Sequence, residues 1–292
     1  MLFIPITIAA ATFQVGRNAT QRTLMGAGGP WGATLVRFLY GIPFTVVFLA
    51  VAWLVWPGAR LSVTPFFWLA GAVGGAAQIG ATAALLSAMQ RSSFALGTAF
   101  QQSLLPFTSI IGFAVFGDVL SPHAALGIAV VTLGVGVLSW PKEGVHGDWS
   151  GAWFGLLAGA FFAISNNAFR QAGLSLGHAP APLAGITTVL AVQTMQSLGL
   201  MAVLAVLDRV SLKAAFSNWR PSLQAGFFGA AASACWFTAL ALAPAGPVRA
   251  VGVIEMPLAA LAGRRLFAEK QTWLQWIAGT VTALGVVLAA VG

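Results

Sequence analysis

The chain has 292 residues, 59% of them hydrophobic and only 7% charged, with 14 Lys or Arg against 6 Asp or Glu. A soluble chain carries about 25% charged residues, so this one lacks the polar surface of a water-soluble globular enzyme. Its net charge of +8 comes from basic residues scattered singly through short connections, with no run longer than Arg264-Arg265. That is the pattern of membrane-protein loops rather than of a nucleic-acid surface.

A bilayer crossing takes about 20 mostly apolar residues, so ten crossings use roughly 200 and leave about 90 for connections. The sequence divides that way. Apolar stretches fall at 3–24, 31–56, 64–89, 93–117 and 122–140, then at 149–172, 181–207, 221–243, 247–267 and 272–291. The first begins at an N-terminus without the basic region of a cleavable signal, so it is expected to stay as the first membrane helix. Gly26-Ala27-Gly28-Gly29-Pro30, Trp56-Pro57-Gly58, Ser121-Pro122 and Pro244-Ala245-Gly246-Pro247 supply turn chemistry between stretches. The longest polar run, with Lys142, Glu143, His146 and Asp148, sits at the midpoint. The expected organisation is therefore a first five-helix unit over 1–140, a linker over 141–148 and a second five-helix unit over 149–292.

The two units can be laid over each other. A shift of 151 places Pro106 on Pro257, Phe116 on Phe267, Asp118 on Glu269 and Gly134 on Gly285. A shift of 149 places Phe13 on Phe162, Asn18 on Asn167 and Ala19 on Ala168. Because five is odd, the second unit must enter the membrane from the opposite side. The expected fold class is an all-α integral membrane protein of ten transmembrane helices in two inverted five-helix repeats, an arrangement common in secondary transporters.

Polar residues at membrane depth face partner helices or a water-filled path. In the first helix Gln14, Arg17, Asn18 and Gln21 recur at spacings of three and four and share one face. Ser165, Asn166, Asn167 and Arg170 repeat the stripe in the sixth. Gln78 and Thr82 in the third helix, Thr98, Gln101 and Gln102 in the fourth, and Ser233 with Trp236 in the eighth complete a hydrogen-bonding ring. The expected solute path is lined by Gln14, Asn18, Gln78, Thr82, Gln101, Asn166, Asn167, Ser233 and Trp236. Gln193, Gln196 and Ser197 form a further stripe that reads equally well as interhelical glue. Arg37, two turns into the second helix, either meets a solute carboxylate or snorkels to the headgroups; the snorkel is the expectation. Glu255 is the one acid deep inside a stretch, able to carry a proton in a coupled cycle or to brace the kink at Pro257. Pro43, Pro106 and Pro257 are the expected helix kinks.

Two motif strings lead elsewhere. Gly173-Leu174-Ser175-Leu176-Gly177 matches a nucleophile elbow, but it lies between two membrane helices rather than in a strand-turn-helix. Gly71/Gly75 and Gly155/Gly159 match the small-residue packing motif of membrane helices. The single Cys235 and the dispersed His123, His146 and His178 offer neither a disulfide framework nor a metal site. No cofactor, catalytic residue or bound metal is expected.

Ile254-Glu255-Met256-Pro257, followed by Leu258-Ala259-Ala260, Gly263, Leu266 and Glu269, resembles the ninth helix and following turn of the drug/metabolite transporter superfamily, in its EamA-domain branch. Pro106 to Asp118 repeats the pattern more weakly, with Asp118 where the family usually has Glu. The resemblance implies two five-helix domains over the whole chain, and a Glu before the Pro of this helix is frequent in that family. Ten helices, abundant Trp and short tails look most like bacterial exporters of amino acids, aromatic ones included. It therefore implies an inner (plasma) membrane carrier, not an enzyme, whose partners are a small-molecule substrate and the lipid bilayer, with proton coupling an open alternative and a monomer sufficient. Two other functions stay in view: a proton-coupled exporter of cationic drugs, which the resemblance weakens because Gln14 stands where four-helix relatives carry a membrane Glu, and an intramembrane enzyme, for which the chain lacks a titratable cluster.

Orientation is left open between two arguments. Assigned to the nearer helix end, Arg17, Arg22, Arg37, Arg91, Lys142, Arg209, Lys213, Arg220, Arg264, Arg265 and Lys270 fall on one side, and Arg60, Arg170 and Arg249 on the side of the termini. The positive-inside rule then puts both termini outside the cytoplasm. The resemblance implies both inside.

Overall fold

The computed structural model describes residues 2–119, 121–139, 150–217 and 219–268, with positions 273, 277, 280, 281, 284 and 285 beyond them. The expected linker and most of the expected tenth helix, with Glu269 and Lys270, lie outside the described residues. Every regular element among the described residues is a helix. They are α1 (Phe3–Thr23), α2 (Met25–Leu39), α3 (Ile42–Val55), α4 (Pro65–Arg91), α5 (Phe94–Gln101), α6 (Leu104–Phe116) and α7 (Pro122–Ser139), then α8 (Ser150–Leu174), α9 (Ala181–Leu207), α10 (Arg209–Ser217), α11 (Trp219–Leu242), α12 (Ala245–Gly252) and α13 (Glu255–Phe267).

Seven helical stretches are long and apolar enough to cross a membrane: Gly28–Val55, Pro65–Arg91, Phe94–Phe116, Ser150–Leu174, Ala181–Leu207, Trp219–Leu242 and Ala245–Phe267. The chain is a multi-pass membrane protein. α1 is 21 residues long, about 31 Å at 1.5 Å per residue; the polar stripe from Gln14 to Gln21 is what lowers its hydropathy. Val47, Val51 and Leu54 of α3 and Leu198, Val206 and Leu207 of α9 are exposed, an apolar surface suited to lipid.

Three of the expected single helices are broken, and each break lies just before a proline. Pro106 is the third residue of α6 and Pro257 the third of α13. A proline has no N–H for the carbonyl four residues back, which here belongs to Gln102 and Val253, the residues that close α5 and α12. Those carbonyls accept instead from Leu105 N–H at 3.0 Å and Met256 N–H at 2.8 Å, three residues on. Pro43 likewise follows the break between α2 and α3.

The two broken helices correspond residue for residue at an offset of 151. The bounds 94–101 and 104–116 become 245–252 and 255–267, and the C-caps Gly117 and Ala268 both turn left-handed, at φ 68° and 52°. Gly117 takes that conformation without strain, whereas Ala268 has a Cβ and is the one non-glycine residue with positive φ among those described.

Packing follows the same pattern, with α1 lying along α11 and α4 along α8. Small residues permit it: a Cβ on Gly159 would meet Ser103 Oγ, Leu104 N and Gln101 O, and one on Gly155 would meet Phe100. The Gly155/Gly159 pair thus seats α8 directly against the break between α5 and α6.

Two features differ from the sequence expectation. The Gly26–Pro30 segment is largely helical, interrupted at Gly29 with φ 55° and ψ −167°, rather than an open turn. A short helix, α10, sits between the expected seventh and eighth stretches. Asp208 starts it, accepting from Ser211 Oγ at 2.5 Å and from the Ser211 N–H at 3.1 Å. These two bonds, the hydroxyl's first, hold the Asp208 carboxyl below its ordinary value.

Candidate functional site

The helix breaks bring the site together. Glu255 opens α13 just past one break, and Gln102 closes α5 at the other. The Gln102 amide donates to Glu255 Oε2 at 3.4 Å, so the two interruptions meet at this carboxylate. From α1, Gln14 Nε2 donates to Oε2 at 2.6 Å and Asn18 Nδ2 to Oε1 at 3.1 Å. Glu255 is buried, with 1% of its surface exposed.

Behind the two α1 amides stand donors only. Trp236 Nε1 of α11 donates to Gln14 Oε1 at 2.7 Å, and Arg17 Nη1 donates to the same oxygen at 3.4 Å. Arg17 Nη2 and Nε donate to Asn18 Oδ1 at 2.6 and 3.1 Å. Indole and guanidinium have no acceptor atom. Both amides must therefore turn their oxygens toward Trp236 and Arg17 and their N–H groups toward Glu255. The carboxylate thus feels the Arg17 charge through two oriented amides rather than through a direct ion pair, and it serves throughout as an acceptor.

Two more guanidinium groups complete the cluster. Arg249 of α12 lies over the Trp236 ring, 3.8 Å from its centroid, and its Nη2 donates to Asn166 Oδ1 of α8 at 2.5 Å. Arg37 of α2 donates from Nη1 to Thr82 Oγ1 of α4 at 2.8 Å. Its aliphatic stem passes beside Gly229, as does that of Arg17. Arg17, Arg37 and Arg249 are all buried, Arg37 with 1% exposed. Arg37 interacts with Arg17 and Arg249 as like charges, and Glu255 attracts Arg17 and Arg249. The expectation that Arg37 snorkels to the headgroups is overturned: in the last turn of α2 it is buried, and its guanidinium meets Thr82.

The expected path residues separate into groups. Gln14, Asn18, Asn166 and Trp236 belong to the cluster around Glu255 and Arg249, and Thr82 joins it through Arg37. Ser233 is buried one turn before Trp236. Gln78 instead accepts from Gln196 Nε2 at 3.0 Å, an α4–α9 contact that Gln196 also makes to the Gly75 carbonyl. Asn167 donates to the carbonyls of Thr108 and Ala163, tying α8 to α6. Gln101 is buried with both amide atoms unpartnered, while its neighbour Gln102 reaches Glu255. Arg249 carried no site role in the sequence reading because a single Arg after Pro244-Ala245-Gly246-Pro247 reads as a loop charge. Its signal was the 151-residue offset, which puts it at the level of Thr98.

Two further basic side chains make separate contacts. Arg170 of α8 pairs with Asp118 at 3.3 Å and donates to the carbonyls of Leu240 and Ala243. Arg22 of α1 lies 4.2 Å from the Phe267 ring centroid and 5.9 Å from that of Phe94. Among the described residues, no group of three His, Cys, Asp or Glu side chains could hold a metal ion.

No protein-family model and no curated protein matches the chain. Among solved structures, 28 chains match. One, described only as "Crystal structure of protein", superposes over 100% of this chain and 96% of its own with a TM-score of 0.63 and 17% sequence identity. At that identity the likeness shows the fold alone.

Proposed function

We propose that the protein is a secondary transporter that carries small carboxylate-bearing organic solutes across the bacterial inner membrane by alternating access. The observation that carries this reading is the buried cluster of Arg17, Arg37, Arg249 and Glu255 where the two helix breaks meet. Interrupted helices at membrane depth are a recurring way of building a solute site. The matching bounds of α5–α6 and α12–α13 support the inverted repeat of two five-helix units, ten crossings in all. Each unit would contribute one broken helix as a moving gate.

Three buried guanidinium groups suit a carboxylate, which Arg binds through paired N–H bonds. They count against a cationic drug, which would meet like charge on three sides. The amino-acid exporter suggested by the resemblance fits through the solute's carboxylate. An intramembrane enzyme finds no support in the arrangement, because Glu255 is the one buried acid among the described residues.

Counterflow tests the proposal. Liposomes holding the purified full-length chain, preloaded with an unlabelled acid, should take up its labelled form against a gradient. The panel is leucine, phenylalanine, glutamate and succinate. Failure of all four to exchange above protein-free liposomes would refute a carboxylate as the solute's recognised group.

A further inference from the structure

Charge balance in the cluster says more about the solute than that it bears a carboxylate. Among the described residues, the buried charged side chains are Arg17, Arg37, Arg249 and Glu255. Three guanidinium charges against one carboxylate leave two positive charges uncompensated at membrane depth. Removing an ion from water costs several kcal/mol even after relaxation, unless a counter-charge and hydrogen bonds replace the water. The sequence could have offset the excess with further acids, but the neighbouring positions are Gln14, Asn18, Gln102 and Asn166, which orient charge without cancelling it.

The unmade hydrogen bonds point the same way. Arg17 spends its three nitrogens on Gln14 and Asn18. Arg37 Nε, Arg249 Nε and Asn166 Nδ2 are buried without a partner. All three are donors, and two belong to cations. A buried unsatisfied donor costs about 1–3 kcal/mol, more when charged, and an anion with several oxygens removes the penalty at each. Glu255, the one buried acid among the described residues, already accepts from Gln14, Asn18 and Gln102. A zwitterion would therefore have its carboxylate met and its ammonium left beside arginines.

From this we infer that the solute carries two negative charges, as a dicarboxylate or a phosphate group does, and that Arg37, Arg249 and Asn166 donate to it. The inference rests on the transporter reading and narrows its substrate class. Acidic amino acids, with two carboxylates, stand at the edge of the class; neutral and aromatic amino acids fall outside it.

The test compares charge classes in liposomes holding the full-length chain, each set preloaded with its own unlabelled solute: succinate, inorganic phosphate, glutamate, leucine, phenylalanine or choline. Succinate or phosphate should exchange at least tenfold faster than leucine and phenylalanine, and whichever is faster tells a dicarboxylate site from a phosphate site. Arg37→Gln should lower the ratio of dianion to glutamate exchange at least tenfold, because one of the two excess charges is gone. Leucine, phenylalanine or the cation moving as fast as the dianions would overturn the inference while leaving the transporter standing. Silence across all six would remove both. The comparison on the unaltered chain decides the matter even where the Arg37 variant fails to fold.

Discussion

Glu255 shows how much one side chain can hold in place when water is absent. Its oxygens gather N–H groups from Gln14, Asn18 and Gln102, joining α1 to both helix breaks. Glu255→Gln puts an NH₂ where an acceptor is needed and adds a third uncompensated positive charge. We expect exchange to fall at least tenfold at every pH, with a lower melting temperature in detergent. Retained counterflow with loss of pH-driven flux alone would instead make Glu255 a proton carrier. A second residue prediction concerns the paired caps. Ala268 holds φ 52° where its counterpart Gly117 holds 68°. Ala268→Gly should stabilise the protein by about 1 kcal/mol, and Gly117→Ala should destabilise it comparably; thermal unfolding in detergent reads both. The polar stripe of α1 was legible because spacings of three and four survive in a straight helix. Gln102 rather than Gln101 reaches Glu255 because the break at α5 turns the helix phase, and a proline three residues into the next segment does not say by how much.

Among the elements, the broken helices α5–α6 and α12–α13 carry the proposed movement. Each proline lies in the first turn after its break, where a missing N–H is tolerated, and the break itself is kept at both equivalent positions. Pro257→Ala restores an N–H for the Val253 carbonyl. We expect a higher melting temperature together with slower exchange, because a healed helix resists gating; an unchanged exchange rate would show that the break has no part in movement. The kink positions could be read from the sequence, since proline chemistry is local. α10 could not, because nine residues with mixed polarity between two long apolar stretches give no sustained period. The fate of Arg37 was also hidden, since snorkelling and inward pairing differ only in which face of α2 meets α4.

The molecule as a whole has a charge asymmetry that the buried cluster sharpens. Arg17 and Arg37 leave the eleven basic residues of one side, and Arg249 leaves the three of the other, because all three are core side chains rather than loop charges. With the ten proposed crossings, nine then face two, and the positive-inside rule puts both termini outside the cytoplasm. A periplasm-active reporter fused after Gly292 should therefore be active; activity from a cytoplasmic reporter alone would show that the arginine count does not set the topology. The all-helical, multi-pass character was already present in the hydropathy. The meeting of the two breaks at Glu255 was not, because contacts more than 150 residues apart leave no local trace.

Alternation of access to the cluster is most directly tested with one cysteine. Cys235→Ser removes the native thiol, and Ser233→Cys places a new one a turn from Trp236 at little change in volume. If the cluster is a solute site opened in turn to each side, a membrane-impermeant maleimide should label Ser233→Cys both in right-side-out and in inside-out vesicles, and a transported solute should slow the labelling. A thiol that stays unlabelled from both sides in a folded protein, or is labelled from one side only, would contradict the account.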